Sequence, residues 1–175
     1  MEQALLLGQI TRVLLYVLPM YFANASAVVW KGETRIDLGL NWLDGRPLFG
    51  AGKTVRGTLG GILTGTLIAF LLNQLFPIYT AWLTEDYLAL GFLLSAGAMA
   101  GDIVASFFKR RNDLKVGDPV LFLDQLDFVF GAMILGSLVY VPGFYEIIVI
   151  CLATLFVHRI SNWIAYKAKL KHVPW

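Results

Sequence analysis

The sequence predicts an all-α integral membrane protein: a bundle of five transmembrane helices with the N-terminus outside and the C-terminus in the cytoplasm. Three observations carry this expectation. Hydrophobic residues make up 58% of the 175, above the roughly 45 to 50% of a soluble domain, and mean hydropathy is +0.69. The apolar residues gather in blocks near 5–30, 58–76, 87–108, 120–141 and 144–165, each close to the ~20 residues that cross a bilayer core. Thirteen of the fourteen Lys and Arg residues lie in 31–57, in 109–119 or from Arg159 onward, with Arg12 alone opposite. Basic residues are retained on the cytoplasmic side, which fixes the orientation. One membrane domain, 1–175, accounts for the chain, with cytoplasmic loops at 31–57 and 109–119 and a tail at 166–175.

Span one (5–30) carries Pro19, which predicts a kink, and Asn24, its one strong polar group near the inner rim. A secretory signal is a poor reading: nothing basic precedes Arg12, Glu2 is acidic, and the apolar block is too long. The following loop ends in Gly50-Ala51-Gly52-Lys53-Thr54-Val55-Arg56-Gly57. A Walker loop needs glycine where Pro47 stands. What remains is a flexible, cationic stretch before a helix N-terminus, where unpaired amides favour an anion.

Span two (58–76) continues a ridge of Gly57, Gly61 and Gly65, and span three (87–108) carries Gly97, Gly101 and Ala105. Lipid gives helices no hydrophobic reason to associate, so small residues that admit close backbone contact predict compact packing. Asp102, Ser106 and Lys109, at i, i+4 and i+7, share one face of span three. Lys109-Arg110-Arg111 and Lys115 fill the next loop, and Asp118-Pro119 has the order of an N-cap and first helical residue. Asp124 and Asp127 then share a face at the start of span four (120–141). Span five (144–165) holds the single cysteine, Cys151, read as packing, with His158 and Arg159 near its inner end.

Charges at membrane depth are costly and mark sites. Spans three and four are antiparallel neighbours, so Asp102, Asp124 and Asp127 can converge. Three carboxylates beside hydroxyl and water oxygens suit a hard cation such as Mg²⁺, which takes one or two carboxylates plus substrate phosphates. Dipole compensation would explain one such carboxylate, and headgroup binding would explain the cations, but neither needs all three aspartates.

The strings Gly101-Asp102, Ser106-x-x-Lys109-Arg110, Lys115 and Asp124-x-x-Asp127 resemble the signature of the CTP-dependent phosphatidate cytidylyltransferases. Lys53-Thr54-x-x-Gly57 resembles their Lys-Thr-x-Glu-Gly string, with Arg56 in place of Glu. That replacement, the short chain of five spans and Pro19-x-x-x-Ala23-Asn24 are most similar to the archaeal branch, the CDP-archaeol synthases. The His-Gly-Gly of the bacterial pattern is missing, Leu121, Phe122 and Leu123 preceding Asp124, and Gln125 replaces Arg.

The resemblance implies transfer of CMP from CTP to an isoprenoid ether glycerol phosphate, unsaturated archaetidic acid, with release of pyrophosphate. It implies Asp102, Asp124 and Asp127 as ligands of one or two Mg²⁺ ions, a monovalent cation being a further candidate, and Asp102, Lys109, Asp124 and Asp127 as the catalytic set. Lys53, Thr54 and Arg56 would hold triphosphate; Lys109, Arg110 and Arg111 would divide between triphosphate and lipid phosphate; Asn24 and Ser106 complete the set. Partners would be CTP, the lipid phosphate and membrane lipids, without nucleic acid, since no basic face with interleaved aromatics extends beyond the membrane. Among rivals, a transporter would bury charge at mid-membrane, a CDP-alcohol phosphotransferase lacks all but the Asp44-Gly45-Arg46 fragment of its motif, and a noncatalytic headgroup-binding protein leaves the aspartates unexplained.

Overall fold

The computed structural model describes residues 2–114 and 123–167. Six helices follow in order: α1 (Glu2–Val29), α2 (Val55–Leu75), α3 (Pro77–Thr80), α4 (Tyr87–Arg111), α5 (Leu123–Gly136) and α6 (Phe144–Lys167). Among the described residues there is no strand, only two isolated bridges, Arg35 to Thr54 and Asn41 to Pro47. Among the described residues three helical stretches are long and apolar enough to cross a membrane: Leu6–Val29, Val55–Leu75 and Tyr87–Arg111.

Helix boundaries differ from the sequence expectation where local chemistry intervenes. α2 begins at Val55 and not at residue 58, because Thr54 caps it: the Thr54 Oγ1 accepts the Gly57 N–H at 3.1 Å. α4 runs through Lys109, Arg110 and Arg111, which therefore form its last turn and complement the negative end of the helix dipole. α5 has 14 residues, about 21 Å at 1.5 Å per residue, and its C-terminal end unwinds through turns at 137–139. The expected span 120–141 is thus helical over a shorter stretch. Lys115 and the Asp118-Pro119 cap lie outside the described residues.

The small-residue ridges are where the helices meet. A Cβ at Gly61 would come within 2.7 Å of Met99 Sδ and 2.9 Å of Ala23 O, so α2 lies directly on α1 and α4. A Cβ at Gly97 would reach 2.8 Å from Ala132 Cα, one at Gly131 would reach 2.7 Å from Gly101 Cα, and one at Gly101 would collide with the Asp127 carbonyl. α4 and α5 therefore touch backbone to backbone, the most extensive pairing in the bundle. Tyr16, Met20, Ala69, Leu90, Leu94, Val129 and Ile150 close the core, each 1% exposed or less. Pro19 is buried inside α1.

The two ends of the bundle are built differently. At one, Arg12 Nη2 donates to Tyr140 Oη at 2.6 Å, Tyr140 Oη donates to Glu146 Oε2 at 3.0 Å, and Arg12 Nε lies 3.6 Å from Glu146 Oε1. This ties α6 to α1. The other end carries the 30–54 loop, organised by Asp37, which is 4% exposed. Its Oδ1 accepts the Gly39 N–H at 3.0 Å, and its Oδ2 accepts those of Phe49 at 3.1 Å and Gly50 at 3.0 Å. Burial pushes against its charge, but the three N–H donors and the neighbouring Arg35 outweigh it and hold the carboxyl below its usual range. Leu38 and Gly39, with φ of 49° and 79°, make the tight turn that brings those donors round.

Candidate functional site

Lys53 is the last loop residue but one before α2, and Thr54 fixes where that helix starts. Lys53 Nζ lies 2.5 Å from Asp102 Oδ2 on α4, both side chains largely shielded from solvent. Around this pair is a cavity of about 280 Å³, bounded by Asn24 from α1, Lys31, Lys53 and Thr54 from the loop, Thr58 from α2, and Asp102 from α4. Bare Gly57 keeps it open: a Cβ there would lie 2.8 Å from Thr54 Oγ1 and 3.0 Å from Ala27 O. Polar residues from four segments, α1, the loop, α2 and α4, thus converge on one concave surface.

The next layer stands at the α4–α5 seam. Since Gly101 packs on the Asp127 carbonyl, Asp102 and Asp127 are brought to the same level, and Asp127 lies within electrostatic reach of Asp102, Lys109 and Lys53. The Asp127 Oδ1 accepts its neighbour's N–H, Phe128, at 2.6 Å. Asp124, one turn earlier, is ion-paired with Lys109. Of the three carboxylates expected to converge, Asp102 and Asp127 are thus within electrostatic reach of each other, while Asp124 pairs with Lys109.

Among the described residues no group of three or more Asp, Glu, His or Cys is gathered closely enough to hold a metal alone. The donor chemistry nonetheless fits a hard divalent cation. Asp102 and Asp127 lie within electrostatic reach of each other, and Mg²⁺ takes one or two carboxylates and completes its shell with substrate phosphates and water instead of a protein cage.

Three residues expected to touch phosphate have other surroundings. Ser106, 6% exposed, donates its hydroxyl to the Asp102 carbonyl at 2.9 Å, one turn back along α4. The Arg111 guanidinium is bound to the loop: Nη1 donates to Asp44 Oδ1 at 2.9 Å, Nη2 donates to the carbonyls of Pro47 at 2.5 Å and Arg46 at 3.2 Å, and the group stacks 4.9 Å from the Phe107 ring centre. Reciprocally, Arg46 donates to Asp113 Oδ2 at 2.6 Å and to the Arg111 carbonyl. Arg56 lines a different cavity from Lys53 and Thr54. Arg110 is half-buried on the last turn of α4.

Sequence reasoning missed Asp37, Lys31 and the Arg46/Arg111 exchange. Each depends on how an irregular loop closes, and no periodicity encodes that. Asp44-Gly45-Arg46 read as a fragment of another motif, while its use is to clasp the end of α4.

The chain matches the family model CarS-like, CDP-archaeol synthase, over residues 6–175. It is 47% identical to the CDP-archaeol synthase of Methanocaldococcus jannaschii over 166 residues, covering 91% of this chain and 94% of the relative. With the Pyrococcus horikoshii CDP-archaeol synthase it shares 40% identity over 169 residues, 97% of this chain and 99% of the other. A solved intramembrane enzyme for archaeal membrane lipid biosynthesis superposes with a TM-score of 0.77 at 33% identity, covering 85% of this chain and 91% of that one. Matched by family, by relatives and by fold over most of its length, the chain is an enzyme of the CDP-archaeol synthase family.

Proposed function

We propose that the protein transfers CMP from CTP to the phosphate of an isoprenoid ether glycerol phosphate, unsaturated archaetidic acid, giving CDP-archaeol and pyrophosphate at the cytoplasmic face of the membrane. The observation that carries this reading is the Lys53–Asp102 pair inside a polar cavity bounded by α1, the loop before α2, α2 and α4. Family membership supplies the reaction class. The single domain 1–175 would cross the membrane five times, N-terminus outside, since thirteen of fourteen basic residues fall in the sequence segments 31–57, 109–119 and from Arg159 onward.

The lipid phosphate is already anionic, so an in-line attack on the α-phosphorus needs positioning and charge neutralisation more than a general base. One oxygen of the lipid phosphate forms a bond to that phosphorus. The bond from the α-phosphorus to the α,β-bridging oxygen breaks, and pyrophosphate leaves with the electron pair. Asn24, Lys53 and Thr54 would hold the nucleotide in the cavity; Lys109 and Arg110 would meet the leaving pyrophosphate. Asp102, Asp124 and Asp127 would hold Mg²⁺. When bound, the metal would neutralise phosphoryl charge and link the triphosphate to the carboxylates. Lys53 and Lys109, now paired with Asp102 and Asp124, would turn to the phosphates when nucleotide binds.

The test is direct. Detergent-purified protein is given Mg²⁺, CTP and digeranylgeranylglyceryl phosphate, and both pyrophosphate and nucleotide-linked lipid are measured. The expected result is their release in equal amounts, abolished by EDTA. Absence of both products with any lipid phosphate, or equal use of ATP and GTP, would overturn the proposal.

A further inference from the structure

Beside the polar cavity lies a larger one of about 1,100 Å³, formed where α1 ends and α2 begins. Its wall is mostly apolar, with Trp30, Val55, Leu59, Ile62 and Leu63, and its charges are Lys31, Glu33 and Arg56. The wall is shaped by two glycines. Trp30 is pinned by its Nε1–H bond to Thr64 Oγ1 at 2.9 Å, and its ring fills the place a Gly60 side chain would need. A Cβ at Gly32 would lie 2.9 Å from Arg56 Cβ and 3.3 Å from its Cδ, so the Arg56 stem rests along bare backbone. Leu59 and Leu63 are 61% and 67% exposed, which leaves the groove open sideways.

The first turns of α2 part the two cavities. Thr54, Gly57 and Thr58 border the polar one; Val55, Arg56, Leu59 and Leu63 border the groove. Lys31 borders both.

We propose that this groove binds the lipid acceptor, with Arg56 and Lys31 holding its phosphate and Lys31 touching both substrates where the new bond forms. This rests on the cytidylyltransferase reading of the polar cavity. The occupant follows from complementarity: an amphiphile with an anionic head and branched hydrocarbon chains matches an apolar trough, open to the side, with cations at one end. Glu33 offsets one of the two cations, leaving a net positive rim. Arginine presents a fork of donors that fits phosphate oxygens in pairs, and lysine supplies a point charge that can follow the phosphate as it moves to the α-phosphorus. Arg56, where the broader superfamily pattern has Glu, is thereby assigned to the lipid and not to the triphosphate.

The experiment compares wild type with Arg56→Met, Arg56→Lys, Lys31→Met and Leu63→Trp, varying lipid and CTP separately. Arg56→Met is expected to raise the lipid KM about tenfold, equal to about 1.4 kcal/mol, while the CTP KM moves by less than about twofold. Arg56→Lys should recover part of the loss. Leu63→Trp should raise the lipid KM and discriminate against longer chains, and Lys31→Met should lower kcat. Thermal stabilisation by CTP with Mg²⁺, retained in Arg56→Met and Leu63→Trp, would establish that those variants are folded. Native mass spectrometry supplies a readout independent of turnover. A short-chain isoprenoid glycerol phosphate should stay bound to wild type and be lost from Arg56→Met, while its phosphate-free analogue binds neither. An unchanged lipid KM in both Arg56→Met and Leu63→Trp, a rise in CTP KM in its place, or retention of the phosphate-free analogue as a bulk lipid would overturn the groove assignment. Wild type that binds the lipid phosphate yet forms no product would sink the transferase reading and leave the groove standing.

Discussion

Lys53 and Asp102 meet at 2.5 Å across the boundary between an irregular loop and the middle of a long helix. The contact joins the phosphate-binding stretch to the carboxylate seam, so each residue sets the position of the other. Lys53→Met is expected to weaken CTP by about tenfold in KM, with the lipid KM unchanged. Asp102→Asn should remove turnover, and the double variant should be no worse than Asp102→Asn alone. Full additivity in a double-mutant cycle would show that the two act separately.

Asp124→Asn and Asp127→Asn are expected to lower activity about 100-fold or more, as losses around a metal do. CTP-dependent thermal stabilisation in Mg²⁺ should fall in parallel. Stabilisation by Mg²⁺ and CTP equal to wild type in both variants would remove these residues from metal binding.

The exchange of Arg46 with Asp113 and Arg111 with Asp44 clasps the loop to the end of α4. Arg111→Met loses three donor bonds and a ring contact, an expected cost of about 1 to 3 kcal/mol in local order, read as a raised CTP KM and faster proteolysis within 30–54. Because the Arg111–Asp44 pair is reciprocal in charge, the swap Arg111→Asp with Asp44→Arg should recover more activity than either single change retains. Proteolysis within 30–54 unchanged from wild type in Arg111→Met would disprove the clasp.

Gly131 faces Gly101 with no room for a side chain. Gly131→Ala should cost about 1 to 3 kcal/mol through overpacking, lower the detergent melting temperature and reduce turnover, because it separates the helices that carry Asp102 and Asp127. A melting temperature unchanged from wild type would disprove the close contact.

Asp37 supplies a pH signature. Its folded-state pKa lies below the usual 3.8, so its contribution to stability is present in full above that value and is lost as pH falls through the lowered one. Asp37→Ala should be less stable than wild type near neutrality, and the gap should narrow as the solution is taken below about pH 4. A gap constant down to acid pH would mean the carboxylate charge contributes nothing.

The sequence revealed most where one rule governs a side chain. Gly97, Gly101 and Gly61 sit at helix contacts because four-residue spacing translates directly into a face, and Asp102 comes level with Asp127 because two helices joined by a short link run antiparallel. Helix ends were harder. Thr54 as a cap and the helical state of Lys109, Arg110 and Arg111 depend on single hydrogen bonds and on dipole compensation, which shift boundaries by a turn. The 30–54 loop was least legible: Asp37 binds amides two and twelve or thirteen residues away, and Arg111 finds Asp44 67 residues back. Neighbours on α2 also part company, Thr54 toward one cavity and Arg56 toward another, although the same short string contains both.

The bond of Arg12 to Glu146, relayed through the Tyr140 hydroxyl, closes the bundle at the end away from the 30–54 loop. Replacing Glu146 with Gln would leave the guanidinium without its carboxylate and loosen α6 from α1, so the chain should melt earlier in detergent while the polar cavity at the far end keeps its affinity for nucleotide.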